Sequence, residues 1–226
     1  IKAMIEFINQ NKTAPYILLK QKYDEALDAG QKNIEAISIS SFDTHIKEVN
    51  ARFVNLKFVD DKSFIFFSNY DSPKSKAFNS HDQISATFFW SSTYVQIRMK
   101  AKINQTSSKY NNEYFKKRSP DKNALAICSS QSQKILSYED VLSKYDDTIK
   151  NDDLQTCPEY WGGYSFVPYY FEFWEGHDSR LNKREVYEIK NIDILKLDIE
   201  GGELLVLKDI LDKKIFPDQI LVEFKD

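Results

Sequence analysis

The chain has 226 residues, 29% of them charged, with 31 lysines and arginines against 34 aspartates and glutamates and a formal net charge of −3. That length buries a full core, as one large or two small domains, and the near-even charge excludes a globally basic surface for nucleic acid. No apolar run reaches the length of about 18 residues that a membrane-spanning helix needs.

Two cysteines, Cys128 and Cys157, carry no partner motif, which points to a reducing, cytoplasmic compartment. Residues 1–10 lack an arginine-led targeting pattern. Glycine is scarce, and neither GxGxxG nor a P-loop occurs. Any phosphorylated ligand must therefore be held by side chains rather than by a glycine loop.

Residues 15–29 read as an amphipathic helix ended by Gly30. Strands follow over 34–40, 51–57, 64–68, 84–90 and 94–104, with a hairpin turn at Asp60-Asp61-Lys62. In the 51–57 strand, Arg52, Val54 and Leu56 share one face, and Phe53, Asn55 and Lys57 the other. Five strands in succession joined mostly by short turns predict an antiparallel barrel or sandwich. Ser72 and Pro73 open a helix through Phe78, Ser72 as N-cap. Lys74 then stands in its first turn, where a cation is unfavourable unless an anion is bound; a surface lysine is the commoner case.

Gln96 and Arg98 project from one face of a strand, solvated by default. Residues 106–118 predict a helix with Tyr114 and Arg118 as i, i+4 neighbours, a phenol and a guanidinium suited to a phosphate. Residues 119–133 read as a polar loop, Ser137 as the cap of a helix ending near Lys150, and 151–159 as a linker. The stretch 160–187 is expected to fold as aromatic strand, glycine turn and strand, placing the indole of Trp174 near Arg180 and Arg184. That combination suits a planar, anionic ligand.

Eight runs in order, ARFVNLK (51–57), FFSNYDSPK (66–74), VQIR (95–98), EYFKKR (113–118), SSQSQ (129–133), YWGGY (160–164), FEFWEG (171–176) and RLNKR (180–184), resemble the pyridoxamine 5′-phosphate oxidase family over about residues 15–187. The resemblance implies a mainly β fold with flanking helices, the six-stranded antiparallel FMN-binding split β-barrel, in a homodimer with FMN at the interface. It implies that Arg52, Lys74, Gln131 and Ser132 hold the FMN phosphate. Gln96, Trp174 and Arg184 would surround the rest of the flavin, and Phe53, Val54, Asn55, Leu56, Lys57, Phe67 and Ser68 would flank its ring.

Lys57, Tyr114 and Arg118 match the family's grip on the substrate phosphate. Arg180, with Leu181 and Asn182, matches the segment over the substrate ring, and Arg180 and Asn182 take the catalytic positions. The implied reaction is oxidation of pyridoxamine or pyridoxine 5′-phosphate, by hydride transfer to the flavin and reoxidation by O2. No metal is implied.

The chain departs from the family pattern at three site positions. Asn182 replaces a histidine, Pro73 an arginine, and Lys122 a serine that binds substrate phosphate; Lys122 can still serve as a point charge. Another substrate on the same fold, or a non-catalytic flavin-binding module, are the alternatives that these changes leave open. Residues 188–226 form a separate C-terminal fragment. They read as strand, turn, helix and strand, a βαβ-like extension that resembles part of an FkbM-type methyltransferase, with no catalytic role for Asp198 or Glu200.

Overall fold

The structure is a computed structural model that describes residues 4–129, 131–189, 194–197, 203–212 and 219–222. Its centre is a closed ring of six antiparallel strands. These are β2 (Ala36–Asp43), β3 (Glu48–Asp60), β4 (Ser63–Asn69), β5 (Gln83–Trp90), β6 (Val95–Gln105) and β7 (Trp161–Glu175). Neighbours run β3-β2-β5-β6-β7-β4, and a β3–β4 pairing closes the ring. A short parallel strand, β1 (Glu6–Ile8), joins β3, and β8 (Lys183–Glu188) pairs with β7.

Alternation explains the core. Ile84, Ala86, Phe88 and Trp90 of β5 and Val95, Ile97, Met99, Ala101 and Ile103 of β6 are buried, while most residues between them are not. Phe64, Phe66, Phe166, Phe171 and Phe173 fill the middle of the barrel. Each such ring contributes roughly 1.5–3 kcal/mol by burial, against about 0–1 kcal/mol for a surface ion pair, so apolar burial rather than charge holds the barrel.

Helix α1 (Ala14–Asp28) packs Tyr16 on Phe64 and Phe171 and Tyr23 on Trp90, and the chain leaves it through Gly30 at φ +72°. The other helices of this unit are α2 (Pro73–Ser80), α3 (Ser108–Lys117), α4 (Pro120–Cys128) and α5 (Tyr138–Asn151).

Several expectations need correction. The polar loop expected over 119–133 is helical for most of its length, because Pro120 sits at the helix start, where its missing N–H costs nothing, and Asn123 and Ala124 are buried. Ser72 occupies the N-cap of α2 but does not cap it; its hydroxyl donates to the carbonyl of Asn69 at 2.7 Å. Arg118 lies one residue past α3 in extended backbone, not on the helix face.

The glycine pair Gly162-Gly163 belongs to the interior of β7. A Cβ at Gly162 would stand 2.2 Å from the Tyr70 hydroxyl, so the close approach requires glycine there. β7 also runs through Pro168, which faces Ala101 where the register shifts, a place where a strand tolerates proline.

The chain divides into two compact units, Ile1–Tyr187 and Glu188–Asp226. In the second, β9 (Ile194–Leu197) and β10 (Gln219–Val222) pair in parallel, with α6 (Glu203–Asp212) between them in sequence. Asp198 and Glu200 lie outside the described residues. Among the described residues no helix is long and apolar enough to cross a membrane.

Candidate functional site

A cleft of about 850 Å³ opens beside β3 and β4. It brings together Phe53, Val54, Asn55, Lys57, Phe67, Ser68, Lys74, Tyr114, Arg118, Lys122 and Gln131, residues more than 70 positions apart in the chain. Met4, Glu6, Phe58, Lys117, Ser119 and Trp161 complete the lining.

At one end stands Lys74. It is buried rather than a surface lysine, and its ammonium donates to the hydroxyls of Ser68 at 2.9 Å and Ser72 at 3.1 Å. The Ser68 hydroxyl and the Asn69 N–H both donate to Gln131 Oε1, at 3.1 and 3.2 Å, which ties the segment after α4 to the end of β4. Burial, with repulsion from Arg52, pulls the Lys74 pKa down to about 8. Arg52 donates to the Ile39 carbonyl and the Ser41 hydroxyl, and burial lowers its pKa too.

At the other end are Lys57, Arg118 and Lys122. A register shift between Leu56 and Phe58 places a bulge at Lys57, the irregularity by which a strand re-aims a side chain. Burial lowers the Lys57 pKa, opposed by Glu35 and reinforced by Lys122 and Arg118. The Arg118 guanidinium lies 4.5 Å over the Trp161 ring and donates to Asn123 Oδ1 at 3.2 Å. The buried Asn123 amide in turn donates to the carbonyls of Phe115 and Leu154.

An aromatic wall joins the two ends. Tyr114 stacks on Phe67 with 3.8 Å between centroids, and Phe67 stacks on Trp161 at 5.2 Å. Burial raises the Tyr114 pKa, so its phenol is neutral at physiological pH. Among the described residues no carboxylate forms an ion pair with Lys57, Lys74, Arg118 or Lys122. The cleft is a mainly cationic trough, with Glu6 as its one lining carboxylate and a flat apolar side, suited to planar phosphorylated molecules.

Other predicted residues lie off the cleft lining. Leu56 is fully buried in the core, so its side chain is unavailable to a ligand. Arg52 lies near enough to Lys74 to repel its ammonium, and Ser132 is exposed at φ +65°. Gln96 and Trp174 are cross-strand partners on another face, formed by β6 and β7.

Trp174 was expected beside two arginines, but its ring contact is Tyr94 at 5.6 Å, and Arg184 leans toward the Glu172 carboxylate at 4.0 Å. A full negative charge attracts a guanidinium more strongly than an indole face does. Arg180 (φ +62°), Leu181 and Asn182 sit in the exposed turn between β7 and β8. There the Asn182 side-chain oxygen accepts the His177 N–H at 3.1 Å.

Sequence reasoning missed Trp161, Asn123, Phe58 and Glu172. Trp161 stood inside a quoted motif, and the pairing of a tryptophan with a helix-end arginine was the available signal. Glu172 likewise stood inside the FEFWEG run, whereas nothing local in the sequence marks Asn123, because burial created by distant segments gives it its role.

A model of the pyridoxine 5′-phosphate oxidase C-terminal dimerisation region matches residues 161–197. Pyridoxine/pyridoxamine 5′-phosphate oxidase 1 of Hydrogenovibrio crunogenus is 32% identical over 178 residues, covering 78% of this chain and 82% of that protein. The oxidase of Leptospira biflexa is 34% identical over 179 residues, with coverages of 78% and 84%.

Among solved structures, PhzG from Burkholderia lata 383, in complex with tetrahydrophenazine-1-carboxylic acid, superposes with TM-score 0.73 at 20% identity, covering 80% of this chain and 94% of that one. A pyridoxamine 5′-phosphate oxidase-related, FMN-binding protein from Nostoc punctiforme gives 0.60 at 10% identity, over 78% and 98%. These two show the split-barrel fold. The family match runs through Leu197, inside the segment read as methyltransferase-like, and the comparisons lend that resemblance no support.

Proposed function

The chain belongs to the pyridoxine/pyridoxamine 5′-phosphate oxidase family, and from that premise we propose that it is an FMN-dependent oxidase converting pyridoxamine or pyridoxine 5′-phosphate to pyridoxal 5′-phosphate, with O2 as electron acceptor. The observation that carries this reading is the pair of cationic ends in one cleft, joined by an aromatic wall, whose lysines and Arg118 make no ion pair among the described residues. Two phosphorylated rings stacked side by side need that arrangement.

The residues present fit FMN. Lys74 is a buried ammonium whose nearest partners are neutral hydroxyls, so an anion would complete its environment. Lys74, Ser68, Gln131, Ser132 and the charge of Arg52 would hold the flavin phosphate. The 53–57 stretch and Phe67 would flank the ring. Bound there, FMN supplies the hydride acceptor that no side chain can provide.

The chain itself grips and orients. Lys57, Arg118, Lys122 and the neutral Tyr114 phenol converge as donors for the substrate phosphate. The stacked wall fixes the plane of the substrate ring, which lowers the entropic cost of reaching the reactive geometry.

A homodimer completes the site in this reading. Gln96, Trp174, Arg180, Asn182 and Arg184 lie off the cleft, and the last four fall inside the matched dimerisation region. A second copy would bring them over the flavin and the substrate ring.

One observation favours a divergent substrate as the second reading. Asn182, where the family pattern has histidine, is engaged with the backbone of its own turn. It cannot carry a proton charge near neutral pH.

Anaerobic mixing of the flavin-loaded protein with pyridoxine phosphate or pyridoxamine phosphate tests both readings. Bleaching of the flavin absorbance, with recovery on admitting oxygen, is expected. A yellow protein that neither compound bleaches would select the divergent substrate, and a protein that binds no flavin would overturn the proposal.

A further inference from the structure

We propose that Glu172 is a positioning residue that orients Arg184 toward the flavin. The inference rests on the FMN reading above. In β7, Phe171 and Phe173 point into the core, so Glu172 belongs to the opposite face, yet it is only 5% exposed. Three side chains meet its carboxylate. One carboxylate oxygen accepts from Arg98 Nη2 at 2.9 Å and from the Tyr170 hydroxyl at 3.0 Å. The other lies 4.0 Å from Arg184 Nε.

The geometry leaves Arg184 half engaged. A guanidinium presents five N–H donors in a fixed fork. Nε is the nitrogen nearest Glu172, and the Arg184 side chain, 60% exposed, makes no other ion pair and no hydrogen bond among the described residues. Arg98 and Arg184 together outnumber the one carboxylate, and Lys100, over the Tyr170 ring at 4.8 Å, adds a third cation. The cluster therefore retains positive charge for an anionic or electron-rich ligand. Gln96 and Trp174 lie on the same β6–β7 face, one cross-strand pair beyond Arg98 and Glu172. A flexible, exposed arginine loses rotamer freedom on binding, and a carboxylate that pre-sets its fork lowers that cost.

The test is FMN release on dilution of the flavin-loaded full chain, read by flavin fluorescence, in wild type, Glu172→Gln, Glu172→Asp, Arg184→Ala and the Glu172→Gln/Arg184→Ala double variant. Glu172→Gln should raise the FMN dissociation constant by roughly tenfold, the scale of one charge-assisted contact, and Glu172→Asp should recover most of that loss. In the Arg184→Ala background the same Gln substitution should change nothing.

An equal loss in both backgrounds would overturn the inference, since Glu172 would then act on the fold rather than through Arg184. So would wild-type affinity in Glu172→Gln, or an Arg184→Ala variant that keeps its flavin unchanged; these leave the FMN reading standing. A wild-type chain that binds no FMN would overturn that reading and the inference with it.

Discussion

The guanidinium of Arg118 lies 4.5 Å over the ring of Trp161. The contact joins the residue just past α3 to the first residue of β7, and the stack continues through Phe67 to Tyr114. It holds a cation in extended backbone at two points, the ring face beneath it and the Asn123 side-chain oxygen beside it, while the residue lines the cleft.

Trp161→Leu should therefore weaken phosphate binding without removing any phosphate ligand. Loss of a partly desolvated cation–π contact corresponds to roughly 1–2 kcal/mol, or about five- to thirtyfold in the dissociation constant of pyridoxal phosphate. Isothermal titration in wild type and variant measures it, and unchanged affinity would mean that Asn123 alone orients Arg118.

Lys74 makes the ligand-free protein pH-sensitive. Its pKa of about 8 lies below the ordinary 10.5, so between these values the unfolded chain binds a proton that the folded chain does not. The penalty, on the order of 3 kcal/mol, is present in full below pH 8 and relieved as pH rises toward 10.5. Lys74→Met should raise the denaturant midpoint of the flavin-free protein at pH 7, abolish the rise above pH 8, and weaken FMN at least about tenfold. Urea melts from pH 7 to 10, with and without FMN, check all three.

Gly162→Ala should destabilise the barrel by about 1–3 kcal/mol, the usual range for overpacking. The added Cβ would meet the Tyr70 hydroxyl at 2.2 Å and Asn111 Nδ2 at 2.3 Å. Tyr70 cannot swing aside freely, because it donates to the Gly163 carbonyl and accepts from Asn111, each at 3.0 Å. Gly30→Ala meets no neighbour and suffers only the cost of its positive φ, so its smaller loss in the same melts serves as the comparison.

Truncation separates the two units. The matched dimerisation region ends at residue 197, so a chain ending at Leu197 should keep a flavin-loaded dimer, whereas one ending at Tyr187 should dimerise less tightly. Sedimentation velocity at the flavin absorbance distinguishes these outcomes. Loss of flavin from the chain that ends at Leu197 would assign 198–226 a part in the barrel's stability.

Much was legible in the sequence because it is written locally. Alternation along 84–90 and 94–104, the Asp60-Asp61-Lys62 turn and Gly30 after the first helix are short-range signals, and the structure has β5, β6, the β3–β4 hairpin and the end of α1 at those places. The cations of the site were legible too, as members of motifs in a recognisable order.

Tertiary structure alone decided what those cations do. Closure of the ring and the packing of α2, α3 and α4 beside it bring Lys57, Lys74, Arg118 and Lys122 into one cleft, and leave Gln96, Trp174 and Arg184 on another face. Burial did the rest. It turned Lys74 from a surface lysine into a desolvated ammonium between two hydroxyls, and it made Asn123 and Glu172 the partners of Arg118 and Arg98. Desolvation depends on segments dozens of residues away, so no window of the sequence contains it.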